Sequence, residues 1–350
     1  MRKIIKWLRL IFISILLLVI VVIILFWNEI RSLYSIKKID DYGTFQMTYY
    51  GDYGFDDFLK IGAEKDSDIE AFVIKRLLKG FPINLNITAG GCTVFTARNE
   101  NGDIIYGRNF DFSYSPSLQI ITRPDNGYAS VSTVNLAFVG YSENNLPSGL
   151  NIKSFLTLAA PFLPFDGINE KGVAIALLAV PNAMLIPDDN KITLNTTTAI
   201  RMVLDKAANV NEAIELLEQY NIYFSGGIDC HFLIADANGQ SALVEYYDGV
   251  MQIVTTDENY QIASNFIAYN GLNIGEGFSE FERYEKVKGA IEKNNGFLNE
   301  NQAIKLLAEV GVIDNGLDKL QWTVLYNLSN LNGIIFANRN IDNLNEFQIK

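Results

Sequence analysis

The chain has 350 residues, of which 49% are hydrophobic and 12% aromatic, which is ample for a packed core and excludes a disordered protein. The net charge is −12, but residues 1–38 carry seven basic residues and Glu29 as their only acid, so the rest of the chain is near −18. Such an acidic body repels phosphate, and no basic stripe with interleaved aromatic residues occurs, so nucleic-acid binding is not expected.

The first 38 residues predict a membrane anchor. Leu10–Trp27 contains 18 residues with Ser14 as the only polar one, enough to cross about 27 Å of hydrocarbon as a helix. Four basic residues precede it, which by the positive-inside rule places the N-terminus in the cytoplasm and the body outside the cell membrane. A cleaved signal peptide is the alternative, but the apolar run is longer than is usual and lacks an A-x-A cleavage site.

Residues 39–91 are predicted to form a leader with a small structure of its own. Asp66-Ser67-Asp68 supplies capping and first-turn residues for a helix, and Gly80 followed by Pro82 ends it. The apolar residues between them recur at helical spacing and predict one amphipathic helix: Ile69, Phe72, Val73, Leu77 and Leu78.

Beyond the leader, short β-type stretches alternate with turns and helical periods. The predicted strands are Cys92–Arg98 and Ile104–Asn109, joined by a turn at Asn101-Gly102-Asp103, followed by Ser130–Val139, Val173–Ala179, Cys230–Ala235, Ser241–Tyr246, Val250–Thr255, Trp322–Leu328 and Gly333–Asn338. The predicted helices are 196–208, 211–220, 279–294 and 300–309, with Asn211 and Asn299 as caps. Strands in hairpins with helices grouped apart indicate an α+β fold, and residues 92–350 read as one domain.

Cys92 is the candidate nucleophile for amide hydrolysis. The only histidine, His231, lies far away in a strand-like run, so the usual imidazole base is not evident, and a zinc site built from several histidines is excluded. A free α-amino group, with a pKa of about 7.7–8.0, becomes an alternative base if the Gly91–Cys92 bond is cleaved. Gly90 and Gly91 allow the strained backbone that attack by the thiol requires. On these residues alone, a turn before a buried structural thiol is the more common explanation.

The run from Gly91 to Phe112 resembles the mature N-terminus of the choloylglycine hydrolase group of N-terminal-nucleophile (Ntn) hydrolases. This group of linear amide C-N hydrolases includes bile salt hydrolases, penicillin V acylases and the N-acylethanolamine and ceramide amidases, with the penicillin acyltransferases as a related branch. Its members begin with a catalytic Cys, and the second strand of the first hairpin carries Gly-Arg-Asn-x-Asp. Here Arg108 and Asp111 follow Cys92 by sixteen and nineteen residues, as in the family. The resemblance implies a four-layer αββα sandwich of two antiparallel sheets, cleavage at Gly91–Cys92 and no cofactor or metal.

The resemblance also implies roles for five residues. Arg108 is expected beside the Cys92 thiolate, which a cation favours, and Asp111 is expected to accept a hydrogen bond from the new α-amino group. Gln261–Phe266 is similar to the family strand whose Asn, here Asn265, directs its amide at the oxyanion. Ser279–Tyr284 is similar to the segment that supplies a second arginine, here Arg283, to the nucleophile or to its neighbouring carboxylate.

The sequence departs from the family at one position and leaves several assignments open. Bile salt and penicillin V hydrolases have a second oxyanion Asn where this chain has Ala179, which puts a bile salt substrate in doubt. Phe165–Val173 also matches a family turn, but a structural turn explains it equally well. His231 and Cys230 are interpreted as structural strand residues.

The predicted function is hydrolysis of a small-molecule N-acyl amide by a single-pass, extracytoplasmic enzyme. Acyl transfer through a Cys thioester is the alternative within the same fold. A papain-like Cys92/His231 protease and a membrane-tethered binding module with an uncut leader are the other hypotheses. The sequence does not identify the amide substrate, and it is compatible with a homo-oligomer.

Overall fold

The computed structural model describes residues 2–87, 90–149, 151, 153–275, 278–314, 316 and 318–349. The α-helices of these residues are α1 (Arg2–Leu25), α2 (Trp27–Tyr34), α3 (Phe55–Phe58), α4 (Asp66–Arg76), α5 (Thr196–Lys206), α6 (Val210–Glu218), α7 (Phe278–Lys293) and α8 (Glu300–Val310). The strands are β1 (Lys37–Lys38), β2 (Thr44–Thr48), β3 (Gly91–Arg98), β4 (Ile104–Phe112), β5 (Ser117–Thr122), β6 (Ser130–Asn135), β7 (Pro164–Asn169), β8 (Ala174–Ala179), β9 (Thr193–Asn195), β10 (Asn221–Tyr223), β11 (Cys230–Ala235), β12 (Ser241–Tyr247), β13 (Val250–Val254), β14 (Gln261–Ala263), β15 (Phe266–Ile267), β16 (Ile274–Gly275), β17 (Lys319–Asn327), β18 (Asn332–Ala337) and β19 (Asn345–Gln348). Short 3₁₀ helices lie at Leu136–Val139, Lys153–Phe162, Ser225–Gly227 and Tyr269–Gly271.

The first helix, α1, is apolar over Ile4–Leu25, with a mean hydropathy of 3.3 and no residue of its most apolar part buried in the protein. It begins earlier than the predicted span, because the basic residues before Leu10 continue the same helix. Its length and composition fit a membrane span or a signal sequence near the N-terminus. The cytoplasmic N-terminus and the retained anchor stay predictions.

Two large sheets form the body. Among the described residues, the larger has nine strands in the order β1-β2-β5-β6-β7-β8-β11-β12-β13, and the smaller has six in the order β14-β3-β4-β17-β18-β19. The predicted hairpin at the cysteine is confirmed as β3 and β4, in which Cys92 lies opposite Phe110 and Val94 opposite Arg108. The predicted α+β class is confirmed as well.

The two large sheets contact each other through side chains, and each sheet also contacts helices. Tyr106 of β4 donates a hydrogen bond to the Leu233 carbonyl of β11 at 2.7 Å, and Tyr326 of β17 donates to Asp166 of β7 at 2.6 Å. Gly167, next to Asp166, faces Leu204 of α5 instead, as alternation along a strand requires. Helices α5 and α6 contact strands of the larger sheet, and α7 and α8 contact strands of the smaller one.

The larger sheet is not wholly antiparallel, which corrects the predicted pair of antiparallel sheets. Strand β2 pairs in parallel with β5, with Phe45 opposite Leu118. A parallel pair needs a long connection, and the chain between these strands includes α3, α4 and the β3–β4 hairpin of the other sheet. Strands β9 and β10 form a second parallel pair in a small separate sheet.

Several element boundaries differ from their predicted positions, and in two cases a capping side chain explains the difference. Strand β6 ends at Asn135 because the Asn135 side chain accepts a hydrogen bond from the main chain of Ala137 and starts a 3₁₀ helix there. Helix α6 is capped by Asn209, so the assignment of Asn211 as its cap is wrong; the Asn209 side chain accepts the Glu212 N–H. The predicted cap of α8, Asn299, is confirmed.

The leader does not have a small structure of its own, which corrects that prediction. Its strand β2 belongs to the larger sheet, and its predicted helix occurs as α4. Phe55 and Phe58 pack their rings against Phe162 of the body, with centroids 5.5 and 5.2 Å apart. The leader and the body share one hydrophobic core because the leader's apolar residues are buried against the body as well as against one another.

Candidate active site

The hairpin places the cysteine, the arginine and the aspartate of the motif at one end of the smaller sheet. Pairing of β3 with β4 sets Gly91 opposite Asp111 and Val94 opposite Arg108. Strand β14 lies on the other side of β3 and ends two residues before Asn265. The ladder therefore brings side chains of Cys92, Arg108, Asp111 and Asn265 into one buried cluster, although Asn265 is far away in the sequence.

The main chain of Cys92 is held by Asn265 and its neighbour. The Cys92 N–H donates to Asn265 Oδ1 at 2.7 Å, and Ser264 Oγ donates to the Cys92 carbonyl at 3.2 Å. Asn265 Nδ2 donates to the Ala179 carbonyl at 2.7 Å. In the uncut chain, Asn265 Oδ1 thus holds the nitrogen that cleavage would release. Asn265 Nδ2 is bonded to Ala179, at the position where bile salt and penicillin V hydrolases have a second Asn. The oxyanion role of Asn265 stays a prediction.

Arg108 lies beside the thiol and is held by a carboxylate from the other sheet. Its Nη2 is 3.8 Å from Cys92 Sγ, and its Nη1 is 3.2 Å from Asp166 Oδ2, with both side chains of the ion pair fully buried. Asp166 also accepts hydrogen bonds from Trp322 Nε1 at 3.1 Å and from Tyr326 at 2.6 Å. These contacts fix the orientation of the Arg108 guanidinium next to the Cys92 thiol.

Asp166 was not singled out as a site residue from the sequence. It stands in the Phe165–Val173 motif, for which the sequence leaves a structural turn and a catalytic role open, and in the structure it is a buried residue of β7. Its place in a motif shared with the family was the available signal. A buried carboxylate with an arginine partner supports a functional interpretation of that motif.

Asp111 and Arg283 form the second ion pair of the site. Arg283 Nη1 is 2.8 Å from Asp111 Oδ2, and Arg283 Nη2 donates to Asn265 Oδ1 at 3.0 Å. The main-chain N–H of Val312 donates to Asp111 Oδ1 at 2.8 Å. Arg283 therefore contacts the carboxylate neighbour, one of the two contacts predicted for it, and links that carboxylate to the residue that binds the Cys92 nitrogen.

Burial and these charges set the ionisation of the site. Burial raises the pKa of the Cys92 thiol to about 11, against the lowering effect of Arg108 and Arg283. Burial also raises the pKa of Asp111 to about 6, against the lowering effect of Arg283. The uncut chain at neutral pH therefore holds a protonated thiol next to an ionised Asp111.

Gly90 is required for a steric reason. A Cβ at this position would lie 2.2 Å from the Asp111 carbonyl oxygen and 2.5 Å from the Phe112 ring. Gly91 lies in β3 and has no positive φ, so the strained backbone predicted from the two glycines is not present at that residue. At Gly91 a Cβ would lie 3.3 Å from Arg283 Nη2, so glycine there leaves the guanidinium close to the Gly91–Cys92 bond.

His231 binds a carboxylate in the core. Its Nδ1 is 2.8 Å from Glu245 Oε1, and both side chains are fully buried. Glu245 also accepts the main-chain N–H groups of Ala268 and Tyr269 at 2.9 and 2.7 Å. This pair supports the structural interpretation of His231, and it identifies Glu245 as a residue that positions the segment following Asn265. No local sequence pattern pointed to Glu245.

The family assignment follows from this site and from the extent of the sequence match. The model of the linear amide C-N hydrolases, choloylglycine hydrolase family, matches residues 92–287, more than half of the chain, and its match begins at Cys92. The chain belongs to this family. This choloylglycine hydrolase family member is 32% identical over 111 residues to a penicillin V acylase of Pectobacterium atrosepticum, covering 29% of each chain. It is 25% identical over 224 residues to a bile salt hydrolase/transferase of Clostridium perfringens, covering 59% of this chain and 66% of the relative.

These sequence matches span less than two thirds of either relative. Solved structures of the family show the same fold. The conjugated bile acid hydrolase of Clostridium perfringens superposes with a TM-score of 0.53 at 18% identity, covering 74% of this chain and 92% of that one. Penicillin V acylase of Agrobacterium tumefaciens superposes with a TM-score of 0.51 at 18% identity, covering 70% and 83%. At this level of identity the likeness concerns the fold alone.

Proposed function

We propose that the protein is a membrane-anchored, extracytoplasmic hydrolase of linear N-acyl amides, in which cleavage of Gly91–Cys92 frees Cys92 as an N-terminal nucleophile. The observation that carries this proposal is the environment of Cys92. Its thiol lies beside Arg108, and its main-chain nitrogen is bound by Asn265, which Arg283 connects to Asp111. The start of the family match at Cys92 supports the same boundary.

Cleavage in this proposal uses the thiol of Cys92 and the carbonyl carbon of Gly91. A bond forms from Sγ to that carbon, the bond from the carbon to the Cys92 nitrogen breaks, and the thiol proton passes to the nitrogen. Water then hydrolyses the thioester and releases Gly91 as a carboxylate, which restores the thiol. When it forms, the new α-amino group is hydrogen-bonded to Asn265 Oδ1. It also lies near Asp111, because Gly91 pairs with Asp111 between β3 and β4.

Turnover of substrate then repeats the same chemistry on a second amide. The α-amine takes the thiol proton, the thiolate attacks the substrate carbonyl, and the protonated amine donates to the leaving amine. Arg108 stabilises the thiolate because its charge is fixed by Asp166. Asn265 Nδ2 stabilises the oxyanion after it gives up its hydrogen bond to the Ala179 carbonyl and donates to the substrate oxygen instead.

The layer order that we propose is the αββα sandwich of the Ntn hydrolases. Helices α5 and α6 pack on the nine-stranded sheet, and helices α7 and α8 pack on the six-stranded sheet, whose other face meets the larger sheet. Acyl transfer is not proposed as a second function, because the matching family model describes amide hydrolases.

The direct test is made on the purified full-length chain in detergent. Intact-mass measurement and N-terminal sequencing are expected to find a new N-terminus at Cys92. The cleaved protein is expected to hydrolyse at least one of a panel of N-acyl amides that includes N-acyl amino acids, N-acyl homoserine lactones, penicillin V, conjugated bile salts and N-acylethanolamines. An uncut chain that hydrolyses these amides would contradict the proposed mechanism.

The cleavage rate is expected to rise with pH. The pKa of the Cys92 thiol in the uncut chain is about 11, so the thiolate fraction grows about tenfold per pH unit below that value. Protein produced uncut in acidic buffer and shifted to a series of higher pH values provides the measurement, with the cut fraction followed by mass. Turnover by the mature enzyme should level off near the pKa of the α-amine, about 7.7–8.0. A cleavage rate independent of pH would contradict this order of events.

The leader is expected to stay bound to the body after cleavage. The Tyr53 hydroxyl of the leader donates to both carboxylate oxygens of Asp205 in the body at 2.8 Å. Asp66 of the leader accepts hydrogen bonds from the hydroxyls of Tyr223 and Ser225 in the body at 3.0 and 2.7 Å. Together with the β2–β5 ladder and the shared core, these contacts survive loss of one peptide bond. A tag on the N-terminus should therefore recover the cleaved 92–350 fragment under mild conditions and lose it in denaturant.

A leader variant tests whether packing of the leader against the body retains the cleaved fragment. Phe58→Ala removes the ring contacts with Phe72 and Phe162, and it is expected to raise the fraction of the fragment that separates from the tag. Lys60→Ala changes an exposed residue of the same segment and should leave the separated fraction unchanged. Full release of the fragment from the unmodified leader would overturn this prediction.

A further inference from the structure

The segment immediately before the cleavage site, residues 83–87, lies on the body with alternating side chains. Ile83, Leu85 and Ile87 are buried, with exposed fractions of 8%, 8% and 5%, and all three belong to the main hydrophobic core. Asn84 and Asn86 between them are exposed. An extended chain that presents every second residue to a surface has this pattern, so the three apolar side chains face the core that the leader and the body share, and we call the surface that they cover the groove.

Turns of the body flank this groove. The Asn86 N–H donates to the carbonyl of Phe138, in the 3₁₀ helix Leu136–Val139, at 3.1 Å. The Ile87 carbonyl lies against Gly226 in the turn Ser225–Gly227, where a Cβ would come within 2.0 Å of its oxygen. The absence of a side chain at Gly226 lets that turn close on the segment.

The segment is held mainly by its apolar side chains. In the described part of the chain, two main-chain N–H groups of residues 83–87 donate hydrogen bonds, Asn86 to the Phe138 carbonyl and Leu85 to Glu70 Oε1 at 2.6 Å. Glu70 belongs to α4 of the leader, so Phe138 supplies the one bond from the body in this set. An occupant without polar groups could replace the segment at little cost in hydrogen bonds.

The chemistry of the cleavage assigns this groove to one side of the substrate. In the proposed function, on which this inference rests, Gly91 and everything before it are the acyl part of the first amide that Cys92 attacks. The amine part is the nitrogen of Cys92 itself. A groove that receives residues 83–87 therefore receives part of the acyl side of that amide.

We propose that this groove binds the acyl chain of the substrate, that the chain is long, unbranched and apolar, and that residues 83–87 compete with it. Residues 83–87 present buried hydrocarbon side chains and precede the bond that Cys92 attacks, on its acyl side. Cleavage alone does not empty the groove, because the segment keeps its buried contacts. Substrates with long acyl chains must displace it, whereas an acetyl group need not reach it.

The test compares acyl chain lengths on the full-length protein in detergent. The double variant Leu85→Asn/Ile87→Asn weakens the segment in the groove without changing the walls. Its kcat/KM for dodecanoyl and hexadecanoyl amides is expected to rise about tenfold through a lower KM, because less apolar surface must be displaced. Its kcat/KM for the acetyl amide of the same amine should stay unchanged. Asn84→Ser, an exposed change in the same segment, is the matched control and should leave every chain length unaffected.

A second measurement does not depend on the fold of the variant. A synthetic peptide of residues 83–91 is expected to compete with the dodecanoyl amide for the cleaved wild-type enzyme, and the same peptide with Asn at 85 and 87 is expected not to. Equal effects of the double variant on all chain lengths, or no difference between the two peptides, would overturn the proposal. Intact mass and the amide panel distinguish failure of the groove proposal from failure of the proposed function. A protein that stays uncut, or that is cut but hydrolyses no amide, contradicts the proposed function instead.

Discussion

Replacing Cys92 by alanine is expected to leave a single uncut chain and to lower amide hydrolysis by about ten-thousand-fold or more, the range seen when a covalent nucleophile is removed. The same substitution removes the thiol that attacks Gly91 and the thiol that attacks the substrate, so both activities are lost together. Intact mass reports the first effect, and hydrolysis of the best substrate from the amide panel reports the second.

The control for this prediction is the other cysteine. Cys230 is buried, with its Sγ 3.2 Å from the Ile228 carbonyl, and burial raises the pKa of its thiol. Cys230→Ala should be cut and should hydrolyse amides as the wild type does. Cys92→Ala protein that is cut at residue 91, or Cys92→Ser protein with full turnover, would show that another group is the nucleophile.

Replacing Arg108 by methionine is expected to abolish turnover and to destabilise the fold by about 3–5 kcal/mol, because Asp166 is left as a buried charge without its cation. The Cys92 thiol also loses the cation that lowers its pKa most, so less thiolate forms at neutral pH. Denaturant unfolding of the full-length protein measures the stability, and the acetyl amide assay measures the turnover. Arg98→Met, on the same hairpin but partly exposed, should change stability by less than about 0.5 kcal/mol.

A double variant separates the structural role of Arg108 from its catalytic role. In Arg108→Met/Asp166→Asn the second change removes the unpaired charge, so much of the lost stability should return while turnover remains absent. Turnover that returns with stability would mean that Arg108 acts only through the fold. An Arg108→Met protein as stable as the wild type would contradict the buried ion pair.

Both arginines of the site belong to a connected set of buried contacts. Arg108 joins the thiol to Asp166 between the sheets, and Arg283 joins Asp111 to Asn265 next to the scissile bond. Two buried ion pairs flank one cysteine, so the site holds its charges in place at the cost of desolvating them. Such an arrangement has its strongest rationale in catalysis, where charges that are oriented beforehand stabilise the transition state.

Much of the cysteine end of the site could be predicted from the sequence, since its contacts are local. The spacing of Cys92, Arg108 and Asp111 across a short turn determines a hairpin register that brings the three residues together. Short β-type stretches between turns predicted nine of the nineteen strands in the described residues, and the apolar run after the first basic residues predicted the long apolar helix α1. The resemblance of these motifs to a family then placed Asn265 and Arg283 near them.

The tertiary structure decided the contacts that join distant segments. Arg108 and Asp166 are 58 positions apart in the numbering of the chain, and Asp166 became visible as a partner only when β7 of one sheet faced β4 of the other. Glu245 and the N–H groups of Ala268 and Tyr269, like the parallel pairing of β2 with β5, also depend on how the sheets assemble. A sequence determines which face of each strand is apolar because that pattern is local. Which strands become neighbours depends on packing over the whole chain, and so do the partners of each buried charge.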